Sequence, residues 1–177
     1  LDTVETRMHF GAMLLRAGQT DEALVELRAV LGLYEKSLPA GSPTIAETVE
    51  LIGRAELARG DLVAARASLE RALQIRQAAL PPTSLEIARS LRWLGEVRLA
   101  AKEPEAAELL ARADAILVAG KAEASELSAT RFALARAQAA AGQTDTALAT
   151  ARQARAALSA KAPEAAAIDA WLAKPAG

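Results

Sequence analysis

Few side chains in this sequence can carry covalent or metal chemistry. There is no cysteine and a single histidine, His9, so a thiol nucleophile, a disulfide framework or a structural zinc site has nothing to build on. Carboxylates are plentiful, and Glu47 with Glu50 and Asp21 with Glu22 are closely spaced. General acid–base work needs such a pair in a dry cleft with separated pKa values. The first pair falls on a helical stretch and the second at a helix start, where acids favour the dipole. No phosphate-cradling glycine loop and no nucleophile elbow occur. The inventory predicts no catalytic residue, no metal site and no cofactor. Arginine is left as the main recognition chemistry, because its planar fork suits carboxylates. Arg54 and Arg136 recur at one repeat position, with Arg89 and Arg92 between them.

The elements that must position these residues are helical. The chain has 46 alanines and 26 leucines, both strong helix formers, while the β-branched and aromatic residues that strands want are scarce. This composition predicts an all-α fold. Lys and Arg number 21 against 22 Asp and Glu, and no basic face is concentrated, so a nucleic-acid partner is not expected. No apolar run approaches the roughly 18–20 residues needed to cross a bilayer, so no membrane partner is expected either. Leu1 enters a helical pattern almost at once and no signal-peptide pattern opens the chain. Those features predict a cytoplasmic piece of a longer protein.

Self-similarity sets the architecture. Gly11, Gly53 and Gly95 lie 42 residues apart, and Ala135 continues the series at a slightly shorter step. Seven residues on from these come Gly18, Gly60, Lys102 and Gly142, and then Ala23, Ala65, Ala107 and Ala147. Leu27, Leu69, Ala111 and Ala151 close the pattern. The segments GQTDEAL from Gly18 and GQTDTAL from Gly142 are nearly identical. Each unit reads as two helices. The first helices are expected over 2–17, 43–59, 84–101 and 123–141, and the second over 21–37, 62–79, 104–118 and 145–160. Gly18 and Gly60 suit left-handed C-caps, with Thr20 and Asp61 capping the helices that follow. Pro104 fits a first helical turn, and Thr83 with Glu86 makes a capping-box pattern. A glycine inside a helix costs about 1 kcal/mol against alanine, so Gly11, Gly53 and Gly95 imply close helix contacts. A last helix over 163–173 carries Ile168, Trp171 and Leu172 on one face and is expected to cap the array.

The combination of Leu-Gly, a turn glycine and a following Ala-x-x-x-Leu resembles the tetratricopeptide repeat, in the long form found in kinesin light chains and many bacterial regulators. RALQIRQAALPPTSLEIARSLRWLGEVRLA carries the likeness most closely. The resemblance implies a right-handed superhelical α-solenoid of four units, about 1–41, 42–83, 84–121 and 122–161, forming one array over 1–177. Lys102 in place of the turn glycine and Asp114 in place of a small residue make the third unit the least regular. A looser likeness, in ATRFALARAQAAAGQTDTALATARQARAALSA and PEAAAIDAWLA, is to the repeat regions of large bacterial serine/threonine kinases. It implies a regulatory or dimerisation segment of a signalling protein, with no kinase motif in the present sequence.

In tetratricopeptide arrays the first helix of each unit lines an inner groove. Carried over position by position, this places Met8, Ala12 and Leu15 of the first unit there. Glu47, Glu50 and Arg54 follow from the second, Arg89, Arg92 and Glu96 from the third, and Phe132 and Arg136 with Ala140 from the fourth. Glu50 with Arg54 and Arg92 with Glu96 are also i, i+4 pairs that can solvate a helix face. The implied function is a non-catalytic protein-interaction scaffold. It would hold a peptide, acidic in character, or another domain of the same chain. Family members that clamp chaperone tails use groove asparagines, and this chain has no asparagine, so that activity is not expected. Trp93 is expected to pack between units, with a groove edge as the alternative.

Overall fold

The computed structural model describes residues 3–159 and 162–174. The expected helix ends at 2 and 160 lie outside the described residues. Among those residues every regular element is helical: α1 (Val4–Arg16), α2 (Thr20–Ser37), α3 (Pro43–Arg59), α4 (Leu62–Ala79), α5 (Leu85–Ala100), α6 (Ala106–Ala119), α7 (Ala124–Ala140), α8 (Thr144–Ala156) and α9 (Pro163–Ala173). The chain divides into two compact units at Pro82/Thr83. The first holds the pairs α1–α2 and α3–α4, and α2 also packs on α3. The second holds α5–α6 and α7–α8, with α6 on α7 and α9 on α8.

Every pair turns in the same way. The first helix ends on a residue with positive φ, namely Gly18 (78°), Gly60 (85°), Lys102 (59°) and Gly142 (77°). The amide after it reaches back five residues: Gln19 to the Leu14 carbonyl, Asp61 to Glu56, Glu103 to Arg98 and Gln143 to Gln138, each at 2.9 Å. This double-bonded ending satisfies carbonyls that a helix terminus leaves open. Lys102 adopts the left-handed geometry of the glycine it replaces, so the third turn is preserved against its local preference.

The inner glycines are contact points. A Cβ added to Gly11 would lie 2.7 Å from Leu27 Cγ, at Gly53 2.7 Å from Leu69 Cγ, and at Gly95 2.6 Å from Leu110 Cγ. Leu27, Leu69 and Leu110 are fully buried. The third contact corrects the sequence register by one residue. Ala106 and Leu110 are buried where Ala107 and Ala111 were expected, and Ala107 is half-buried and Ala111 exposed. The cause lies just after the turn. Pro104 precedes α6, and Ala106 N–H bonds the Glu103 carbonyl at 3.3 Å, an i to i+3 turn. Such a turn uses about three residues where an α-turn uses 3.6, which absorbs the missing residue.

Two caps also differ from expectation. Thr20 is the first residue of α2, and Gln19 ahead of it makes no side-chain cap. Ser84, not Thr83, precedes α5, and its hydroxyl donates to Glu86 Oε2 at 2.7 Å in place of a capping box. Asp61 does cap α4, accepting from Ala64 N–H at 3.1 Å.

Candidate functional site

In the first unit the inner residues of α1 and α3 border a cavity of about 360 Å³. Met8, His9, Ala12 and Arg16 line it from α1, and Glu47, Leu51 and Arg54 from α3. Thr48 ties the two helices behind it, donating to the Thr44 carbonyl at 2.8 Å and lying 3.3 Å from Met8 Sδ. Burial lowers the pKa of Arg54, and Arg16 acts in the same direction while Glu50 opposes both. The cleft therefore gathers two cations over an apolar floor, with Glu47 as the acid at its rim. Glu47 also acts on Tyr34, whose phenol is pushed up by burial first and then by Glu5 and Glu47.

Glu50 is placed elsewhere. It is buried against Arg76 of α4 in an ion pair with both side chains 8% exposed. An uncompensated charge at that depth would be costly, so the partner explains how an acid is tolerated there.

The second unit distributes its inner charges across helices. Arg89 Nε donates to Glu126 Oε1 at 2.8 Å, and Arg136 NH1 lies 3.7 Å from Glu96 Oε2, each joining α5 to α7. Arg92 stacks over the ring of Trp93, 3.9 Å from its centroid, a cation–π contact. Phe132 meets Trp171 of α9 edge-to-face, with centroids 6.0 Å apart and planes at 83°. Ile168 is buried beside it and Arg155 Nε donates to Asp169 Oδ1 at 2.8 Å, so α9 covers the end of this unit. A further cavity of about 410 Å³ involves Arg89, Lys121 and Glu126.

Of the residues expected from sequence, Met8, Ala12, Glu47 and Arg54 come together in one cleft, and Arg89, Glu96 and Arg136 pair within the second unit. His9, Arg16 and Leu51 were missed. A signal existed, since Arg16 follows Ala12 and Leu51 follows Glu47 by four residues, on one helix face. Among the described residues no group of three potential metal ligands is found and no helix is long and apolar enough to cross a membrane.

Residues 44–113 match the tetratricopeptide repeat family. No curated protein matches the sequence. A solved structure from Podosopora anserina, a kinesin light chain with nearly identical TPR-like repeats, is 25% identical with a TM-score of 0.78, covering 97% of this chain and 84% of its own. BtubC (BKLC) from P. vanneervenii is 20% identical with a TM-score of 0.77, over 87% of this chain and 62% of its own. The apo form of RapI is 18% identical with a TM-score of 0.75, over 87% and 55%. The latter two likenesses speak for the fold alone. The fold is all-α, built from helix pairs of the tetratricopeptide type.

Proposed function

We propose that this chain is a non-catalytic scaffold that holds an acidic peptide segment of a partner protein against the inner faces of its first helices. Tetratricopeptide repeats typically serve protein–protein interaction. The observation that supports the reading here is the α1–α3 cleft, where Arg16 and the desolvated Arg54 stand beside Met8, Ala12 and Leu51. A charge-assisted bond to a guanidinium is strongest where water is excluded. In the second unit Arg89, Arg92, Glu96, Phe132 and Arg136 form the corresponding face. Cross-helix pairs hold Arg89 and Arg136 in place, and the clustered carboxylates of an acidic peptide can compete for them. The partner lies in the cytoplasm, either as a separate protein or as another domain of the same chain.

An array of acidic and neutral peptides tests this. Capture should favour acidic sequences and fall about tenfold in Arg16→Glu and Arg54→Met chains. Equal capture by all three chains would remove the cleft from the function. A second reading makes the chain a regulatory or dimerisation segment of a bacterial signalling protein such as a serine/threonine kinase. It rests on the likeness of the C-terminal repeat sequence, and the upstream reading frame of the parent gene decides it.

A further inference from the structure

One ion pair of the first unit stands where the other helix pairs place uncharged side chains. Arg76 of α4 follows Leu69 at the spacing that separates Tyr34 from Leu27, Leu117 from Leu110 and Leu158 from Ala151. Leu117 is fully buried at that position, and Arg76 is buried too. Arg76 NH1 donates to Oε2 of Glu50 on α3, itself buried. The residues of α1 and α7 that correspond to Glu50 are Met8 and Phe132. Apolar side chains in place of a buried ion pair are often as stable or more so, and packing alone therefore does not call for this pair.

The neighbour of Glu50 supplies a reason for it. Arg54 follows Glu50 by four residues within α3, so the two share a helix face. Arg54 lines the α1–α3 cleft, and neither Glu50 nor Arg76 is among its lining residues. Burial pushes the Arg54 guanidinium down, Glu50 acts against that, and Arg16 acts with it. Glu50 is thus one carboxylate acting on two guanidiniums, Arg76 from α4 and Arg54 at the cleft. Together these are two cations against one anion. With Arg76 removed, the buried carboxylate stays ionised beside Arg54 and takes that guanidinium as its partner. The cleft then loses its surplus of positive charge.

We propose that Arg76 is a positioning residue for peptide capture, which holds Glu50 from α4 and so keeps the Arg54 guanidinium presented to the cleft as a cation for the partner's carboxylate. This rests on the reading of the α1–α3 cleft as the seat of an acidic peptide. Arg76 meets no peptide itself. The acid preference of the cleft is set one helix behind it.

The test uses the full chain and two fluorescein-labelled peptides, one of Asp, Leu and Gly and its counterpart with Asn for Asp, titrated at low and high salt. Arg76→Met is expected to weaken acidic capture about tenfold, leave the neutral peptide within about twofold and flatten the salt dependence. Loss of packing would weaken both peptides alike and would overturn the proposal. Arg76→Met with Glu50→Gln should recover the acid preference, and a double variant as weak as Arg76→Met would mean that Arg76 meets the acid directly. Glu50→Gln alone should tighten acidic capture about threefold and steepen the salt dependence. That variant decides the matter where Arg76→Met fails to fold, and unchanged capture by it would overturn the proposal. Arg71→Met removes an equal charge from the exposed side of α4, where Arg71 pairs with Glu35. A loss there equal to that of Arg76→Met would assign the effect to overall charge and overturn it as well. Acid preference lost in Arg54→Met but kept in Arg76→Met overturns this proposal alone. Acid preference absent from the unaltered chain, or kept in Arg54→Met, brings down the reading of the cleft and this proposal with it.

Discussion

The first three helix pairs and the fourth meet the same packing requirement with different side chains. In α1, α3 and α5 a glycine gives way to a leucine of the partner helix, at Gly11–Leu27, Gly53–Leu69 and Gly95–Leu110. In α7 and α8 the same positions hold Ala135 and Ala151, both fully buried. One solution puts an isobutyl group on one helix and nothing on the other, and the second puts one methyl on each. The second unit holds both solutions, Gly95–Leu110 in its first pair and Ala135 with Ala151 in its second, and 32 of the 46 alanines follow Pro82. The comparison teaches that the constraint falls on the two side chains together. Close packing penalises excess and deficit alike, so the space one residue takes the facing residue must leave.

The sharpest way to break that view is Leu69→Ala, which leaves a void opposite Gly53 and should cost about 2–5 kcal/mol in urea unfolding. Gly53→Ala alone should cost about 1–3 kcal/mol, because its Cβ would sit 2.7 Å from Leu69 Cγ. The double variant recreates the Ala–Ala pair of α7 and α8. Its loss should be smaller than the sum of the singles by about 1–2 kcal/mol. Strict additivity would show that the two residues do not share one space. Lys102→Gly tests the other irregularity of the array. Relief of a left-handed φ of 59° should raise stability by about 0.5–1 kcal/mol, read from the unfolding midpoint. The smallest effect is expected from Arg136→Ala, within about 0.5 kcal/mol, because its partner is 3.7 Å away and its side chain 47% exposed.

The contacts of the glycines were legible in the sequence because a glycine within a helical period needs a packing reason. The one-residue slip at α6 was not, because Ala106 and Ala107 are both alanine and the apolar pattern is degenerate between them. Of the site, Met8, Ala12, Glu47 and Arg54 followed from repeat position alone. Helical spacing gave Glu50 its local neighbour Arg54, on which it acts, but not Arg76, which lies on the neighbouring helix. The same blindness hid Glu126 from Arg89 and put Arg136 with Glu96 on another helix.

The short i to i+3 turn at Glu103–Ala106 makes the array tolerant of a frame change. A ruler of fixed period laid along the sequence misreads every contact in α6 by one residue, yet the leucine still meets its glycine. An engineer who averages these repeats into a consensus, or splices α6 behind another first helix, should therefore anchor the alignment on Leu110 and not on Lys102. Insertions and deletions of a single residue can be hidden at this joint, whereas the same edit within α5 or α6 would rotate the helix face and expose its core.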